Sequence, residues 1–196
     1  MGNVAVFGGT FNPIHNEHIR MIRCISDLNF IDKILVIPTH IPPHKTAEYL
    51  ADDNHRYNMC KIAVDGIKKT EVSDFEINRQ GKSYTFYTIK ALKEKYANDN
   101  FFVVCGADMA ITLDTWHRYD ELKKLCTFLV VDRPGTDRNK LRTYIERLKQ
   151  DGAEISFVDL STKDVSSTNL RKGMDSALIP QGVADYIKEK GLYNNE

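Results

Sequence analysis

Two glycines and two histidines near the start of the chain have the spacing of a phosphate site. In Val4-Ala5-Val6-Phe7-Gly8-Gly9-Thr10-Phe11-Asn12-Pro13-Ile14-His15-Asn16-Glu17-His18-Ile19, an apolar, β-branched run stops at Gly8-Gly9, a proline follows, and the two imidazoles sit three apart where helical periodicity begins. Strand, turn and helix start in that order leave unpaired N–H groups and a partial positive charge at the turn, while the glycines let a ligand approach the backbone. A phosphate finds donors there. His15 and His18, at i and i+3, project to one side and can hydrogen-bond phosphoryl oxygens through their ring nitrogens. Gly8-Gly9 alone would equally suit an ordinary strand-to-helix turn; the joint pattern carries the reading.

Other chemistry-bearing residues fall after other apolar runs. Pro42-Pro43-His44-Lys45 cannot be helix or central strand, because proline lacks the donor, so it forms a loop that brings a cation to the same edge. Gly106-Ala107-Asp108 follows the most apolar run, Phe101-Phe102-Val103-Val104-Cys105; the glycine again admits a ligand, and the carboxylate can accept a ribose hydroxyl or help position a metal. Trp116, the only tryptophan, lies in the polar stretch Asp114-Thr115-Trp116-His117-Arg118-Tyr119 without apolar neighbours to bury it, which suits a stacking platform. Arg133 stands in a turn after another strand. Ser166-Ser167-Thr168 with Arg171 one turn later would form a second anion cradle at a helix start.

The elements that must position these groups can be read from periodicity. Ile19, Ile22, Ile25 and Leu28, with Met21, recur at helical spacing, and Lys33–Pro38 is a buried strand, so the chain opens with a βαβ unit whose right-handed crossover places ligands at the carboxyl ends of the strands. A helix over 55–67, a half-exposed strand over 71–77 and a helix from Thr85 through Tyr96 follow. Strands over 101–105 and 127–131, a covering helix over 137–150, a strand over 154–159 and a closing helix around Val183 and Ile187 complete the pattern. We expect an α/β fold: a Rossmann-like, doubly wound parallel sheet with flanking helices, forming one domain over residues 1–196 with a small C-terminal helical segment.

Composition bounds the function. The chain has 196 residues, 42% hydrophobic, and 27 basic against 27 acidic side chains, so no global field draws it to nucleic acid or an anionic membrane. Four widely spaced cysteines, Cys24, Cys60, Cys105 and Cys126, read as reduced thiols. No apolar run approaches the roughly 18 to 20 residues of a membrane span, and the N-terminus enters a strand without a signal-peptide layout. The expectation is a soluble cytoplasmic protein, with homo-oligomer formation left open.

Gly8 to His18 resembles the nucleotide-binding signature of the nucleotidyltransferase superfamily, G-G-[ST]-F-[DN]-P-x-H-x-G-H, with Asn12 where Asp is commoner and Glu17 where Gly is usual. Glu17 would set a carboxylate beside a triphosphate unless it turns outward or pairs with a cation. The wider set of motifs is similar to the bacterial nicotinate-nucleotide adenylyltransferases: Pro42-Pro43-His44-Lys45, Arg79-Gln80-Gly81-Lys82-Ser83-Tyr84-Thr85, Gly106-Ala107-Asp108 with Trp116, Arg133-Pro134-Gly135, and Ser166 through Arg171 follow in that family's order. Tyr87 departs from its usual Asp.

The resemblance implies transfer of AMP from ATP to nicotinate mononucleotide, giving deamido-NAD and pyrophosphate in NAD biosynthesis. It implies a catalytic set of His15, His18 and Arg171, ATP held by Gly8, Gly9, Thr10, Phe11, Gly106, Asp108, Arg133, Ser166, Ser167 and Thr168 with that set, and Mg²⁺ bound mainly through the ATP phosphates. The acceptor mononucleotide would meet Lys45, Tyr84, Thr85, Trp116 and His117. Rival readings are a related adenylyltransferase acting on nicotinamide mononucleotide or phosphopantetheine, a nucleotide-binding regulator without catalysis, and a metal-dependent hydrolase using His15, His18, His40 and His44.

Overall fold

Side chains alternate between two cores along every long strand, and this alternation builds the molecule. The computed structural model describes residues 1–43, 49–79, 81–132, 137–158 and 178–193. Strand β1 (Asn3–Gly9) sends Val4 and Val6 to one face and Ala5 and Phe7 to the other, and both sets are buried. Continuously apolar strands of this kind are what a sheet covered on both sides requires.

Six strands pair, all parallel, in the order β3-β2-β1-β4-β5-β6, where β2 is Lys33–Pro38, β3 Thr70–Val72, β4 Asn100–Gly106, β5 Thr127–Val131 and β6 Ile155–Val158. Helices α1 (Asn16–Ser26), α2 (Asp53–Val64) and α7 (Gln181–Lys190) cover one face. Helices α3 (Thr85–Lys95), α5 (Tyr119–Leu122) and α6 (Arg138–Gln150) cover the other, with the short α4 (Ala107–Ala110) joining β4 to them. This is the doubly wound Rossmann-like sheet expected from sequence. Its strand order reverses between β1 and β4, the place where such sheets open a crevice at the carboxyl ends of their strands.

Most elements lie where periodicity puts them, with two corrections. The strand expected over 71–77 is only three residues long at Thr70–Val72, because Phe75 to Asn78 fold into a turn closed by Asn78 N–H donating to the Asp74 carbonyl. The helix expected over 55–67 begins earlier, at Asp53, where the Asp52 side chain accepts from Asn54 N–H. Its buried stripe is Arg56, Met59, Cys60 and Val64, while Ile62 is exposed. Among the described residues no helix is long and apolar enough to cross a membrane.

Candidate active site

The βαβ unit places the signature loop by three local devices. At Gly9 a Cβ would lie 2.8 Å from the Phe11 ring, so only glycine lets that ring fold back over the strand end; Phe11 itself takes φ 45°. Gly8 faces open space instead, with nothing within 4 Å of where a Cβ would be. His15 has extended φ/ψ and caps α1, and its N–H donates to His18 Nδ1 at 3.2 Å. A neutral His18 ring that accepts at Nδ1 carries its proton on Nε2, so it keeps a donor. The two imidazoles stack at 3.7 Å between centroids, 24° apart, and Phe7 and Phe11 flank His18 at 5.9 and 5.0 Å.

A cavity of about 580 Å³ opens at the β1/β4 reversal. Every described residue of the expected adenylyltransferase site lines it: Gly8, Gly9, Thr10, Phe11, His15 and His18 from the signature, Gly106 and Asp108 from the end of β4, and Tyr84, Thr85, Trp116 and His117 from the α3 and α5 side. Groups up to about a hundred residues apart thus share one wall because three strand ends and the start of α3 meet there. Lys45, Arg133, Ser166, Ser167, Thr168 and Arg171 lie outside the described residues, as does His44.

Trp116 departs from its reading as an unburied platform. Its ring lies perpendicular to that of Phe128, 6.4 Å between centroids, at the margin of the core, and is partly buried. One side is thereby fixed, and the residue still lines the cavity. At the mouth, the Tyr84 and His117 rings stack at 4.2 Å, and His117 Nε2 lies 3.3 Å from Tyr87 Oη. Arg79 sits over Tyr87 at 5.4 Å. Tyr87, the departure from the family's Asp, thus extends an aromatic and cationic rim.

Glu17 does not line the cavity. It is buried on α1 with its carboxylate 3.8 Å from Arg20, so the charge that sequence set beside a phosphate is paired one turn along. His40 is also redirected, since its ring nitrogen hydrogen-bonds Asp53; His40 is not in the cavity wall, which removes it from the hydrolase reading. Among the described residues no group of three or more His, Cys, Asp and Glu side chains is arranged to hold a metal ion.

Sequence reading missed the polar side chains behind the wall. Glu76 lines the cavity almost fully buried, with Thr88 Oγ1 donating to its Oε1 at 2.5 Å. Burial pushes its carboxyl up from the usual range, partly offset by the Thr88 and Ser83 hydroxyls and by Arg79. Ser83 Oγ accepts from His40 N–H at 2.9 Å, stitching the loop after β2 to the segment that starts α3. Arg56 could have been found, because a cation at the first position of an i, i+3, i+4 apolar stripe has to be buried with partners.

An open crevice at the strand reversal, a capped helix start bearing two imidazoles and a glycine-lined strand end define a nucleotide-binding α/β protein of the cytidylyltransferase-like class, and the cytidylyltransferase-like family matches residues 6–173. The chain is 37% identical to the probable nicotinate-nucleotide adenylyltransferase of Clostridium tetani, over 98% of this chain and 100% of that protein. It is 36% identical to the nicotinate-nucleotide adenylyltransferase of Bacillus subtilis, over 100% of both. The chain belongs to the nicotinate-nucleotide adenylyltransferase family. Among solved structures, Plasmodium falciparum nicotinic acid mononucleotide adenylyltransferase complexed with NaAD shares the fold, with a TM-score of 0.82 over 98% of each chain at 23% identity.

Proposed function

We propose that this chain transfers AMP from ATP to nicotinate mononucleotide, forming deamido-NAD and pyrophosphate in NAD biosynthesis. The observation that carries the reading is the single cavity into which both halves of the predicted site turn, signature loop and strand β4 on one side and Tyr84, Thr85, Trp116 and His117 on the other.

The acceptor phosphate is already an anion at pH 7, so no side chain has to remove a proton from it. Its oxygen attacks the α-phosphorus in line; the new P–O bond forms as the bond to the β-phosphate oxygen breaks and pyrophosphate leaves. No covalent enzyme intermediate is needed, and rate comes from positioning and charge stabilisation. His15 and His18, at the positive end of α1, hold triphosphate oxygens, and the Nε2–H of His18 donates to charge developing on the leaving group. Asp108 accepts a ribose hydroxyl, Trp116 offers its face to the pyridine ring, and N–H donors near Thr85 and His117 favour the acid over the amide. We assign further ATP contacts to Arg133, Ser166, Ser167, Thr168 and Arg171, and the phosphate region of the acceptor mononucleotide to Lys45.

Within this reading Mg²⁺ would arrive with the nucleotide, held mainly by its phosphates with Asp108 within reach of the same cavity, and would supply positive charge against the leaving pyrophosphate. The donors in the cavity wall fit that role, since Asp108 is one accessible carboxylate beside imidazoles rather than a dedicated oxygen cage. A cytoplasmic location belongs with the same reading and is supported by the four cysteines, all free thiols. The test is pyrophosphate release from ATP with nicotinate mononucleotide, nicotinamide mononucleotide and phosphopantetheine side by side. Release fastest with nicotinate mononucleotide is expected; a faster reaction with either other acceptor overturns the assignment.

A further inference from the structure

Arg56 is fully buried, and its guanidinium spans the gap between the two loops that wall the cavity. Nη1 donates to the carbonyl of Thr10 in the signature loop at 2.8 Å, Nε to the carbonyl of Ala51 at 2.9 Å, and Nη2 to the carbonyl of His40 at 3.4 Å and to the Asp53 carboxylate. Asp53 in turn holds the His40 ring. Thr10 lines the cavity directly, and Thr39, Pro42 and Pro43 around His40 line it from the opposite loop, but neither Arg56 nor Asp53 reaches it.

Taking a guanidinium out of water is expensive, and an apolar side chain of similar volume commonly serves stability as well or better. What an apolar side chain cannot do is bond three carbonyls and a carboxylate in divergent directions, which the rigid fork of five donors does. Further bonds tie both ends to substrate segments. Thr39 N–H donates to the Gly9 carbonyl at 2.9 Å, Ala51 N–H to Asn12 Oδ1 at 3.0 Å, and His40 N–H to Ser83 Oγ at 2.9 Å, beside Tyr84 and Thr85.

We propose that Arg56, held by Asp53, is a positioning residue for the transfer: it fixes the signature loop and the loop after β2 at one separation, and so sets the approach of the acceptor phosphate to the α-phosphorus. The proposal rests on the adenylyl-transfer reading above. Each loop binds its own substrate without Arg56; what Arg56 supplies is their relative placement, and a misplacement of about 1 Å costs on the order of 10²-fold in rate.

The experiment compares wild type with Arg56→Lys, which keeps the charge and loses the fork, and Asp53→Ala, which removes the carboxylate that holds both the guanidinium and the His40 ring and leaves the three carbonyl bonds of Arg56 in place. Leu148→Ala, in the α6 core and away from both loops, is a destabilised control. Turnover is measured by pyrophosphate release, affinity for nicotinate mononucleotide by quenching of the only tryptophan, Trp116, and affinity for ATP by equilibrium dialysis. Turnover should fall at least tenfold in Arg56→Lys and at least threefold in Asp53→Ala, with each affinity within threefold, while Leu148→Ala changes neither. Amide exchange over residues 8–12 and 39–43 should quicken at least tenfold in Asp53→Ala, whatever the acceptor. Turnover within twofold of wild type in both variants overturns the proposal, as does loss of each affinity in step with turnover, or unchanged exchange in Asp53→Ala. An inactive wild type would sink the functional reading and the catalytic part of this proposal with it, while the exchange result still decides whether the Arg56–Asp53 pair fixes the two loops.

Discussion

Tyr193 Oη donates to Asn12 Oδ1 at 2.6 Å, joining residues 181 apart and bringing the chain beyond α7 onto the signature loop. Asn12 is almost fully buried and uses both ends of its amide: Oδ1 also accepts from Ala51 N–H at 3.0 Å, and Nδ2 donates to the Tyr49 carbonyl at 2.7 Å. Asparagine here is therefore more than an aspartate without charge, because the donor toward Tyr49 has no counterpart in a carboxylate. Tyr193→Phe removes one donor and leaves Oδ1 with its Ala51 bond, so it should cost about 0.5–1.5 kcal/mol in urea unfolding. An unchanged midpoint would mean that water replaces the tyrosine at no cost.

His18 is boxed between His15, Phe7 and Phe11, with Nδ1 committed to the His15 amide. One tautomer and one ring orientation are thereby preset, which is what makes a donor effective toward charge that appears only in the transition state. His18→Ala should lower kcat by roughly 10² to 10³, the scale for losing one such donor. The ring also holds the start of α1, so unfolding should be measured alongside. Near-normal turnover in a folded variant would take His18 out of the mechanism.

The strand ends and helix starts of this site were legible from sequence because they are local. Gly8-Gly9 followed by a capped, amphipathic α1 needs only neighbouring residues to be read, and β4 with Gly106 announces itself by continuous apolarity. What escaped depends on contacts distant in sequence. Glu17 is harmless because Arg20 sits one turn on, a pairing that spacing permits but does not fix. His40 looked like a metal ligand until the fold brought Asp53 to it. Trp116 appeared unburied because Phe128, which it packs against, arrives from β5. Polar neighbours in sequence say little about apolar neighbours in space, and Arg56 went unread because its carbonyl partners, Thr10, His40 and Ala51, come from separate segments.

Trp116 packs perpendicular to Phe128, and the residue remains in the cavity wall. A ring held this way stacks on a planar ligand with little ordering cost. Trp116→Ala should raise the KM for nicotinate mononucleotide at least tenfold and that for ATP less than threefold, measured by varying each substrate at saturating concentrations of the other. Equal increases would place the residue's effect in the shape of the cavity and not in stacking on the acceptor.

Glu76 links stability to pH through a wall residue. Burial raises its carboxyl above the ordinary 4.5, against opposing contributions from Thr88, Ser83 and Arg79. A folded state with the higher value binds the proton more tightly than the unfolded chain. The associated stability is therefore fully present below the ordinary value and is lost as pH rises through the raised one. Glu76→Gln keeps an oxygen to accept from Thr88 Oγ1 and has no charge to bury, so it should gain on wild type as pH increases. Thermal midpoints at pH 4, 5, 6 and 8 should show a variant-minus-wild-type difference that grows toward pH 8. A difference independent of pH would mean that the carboxylate's partners compensate its burial in full, and that Glu76 titrates in the folded chain as it does in the unfolded one.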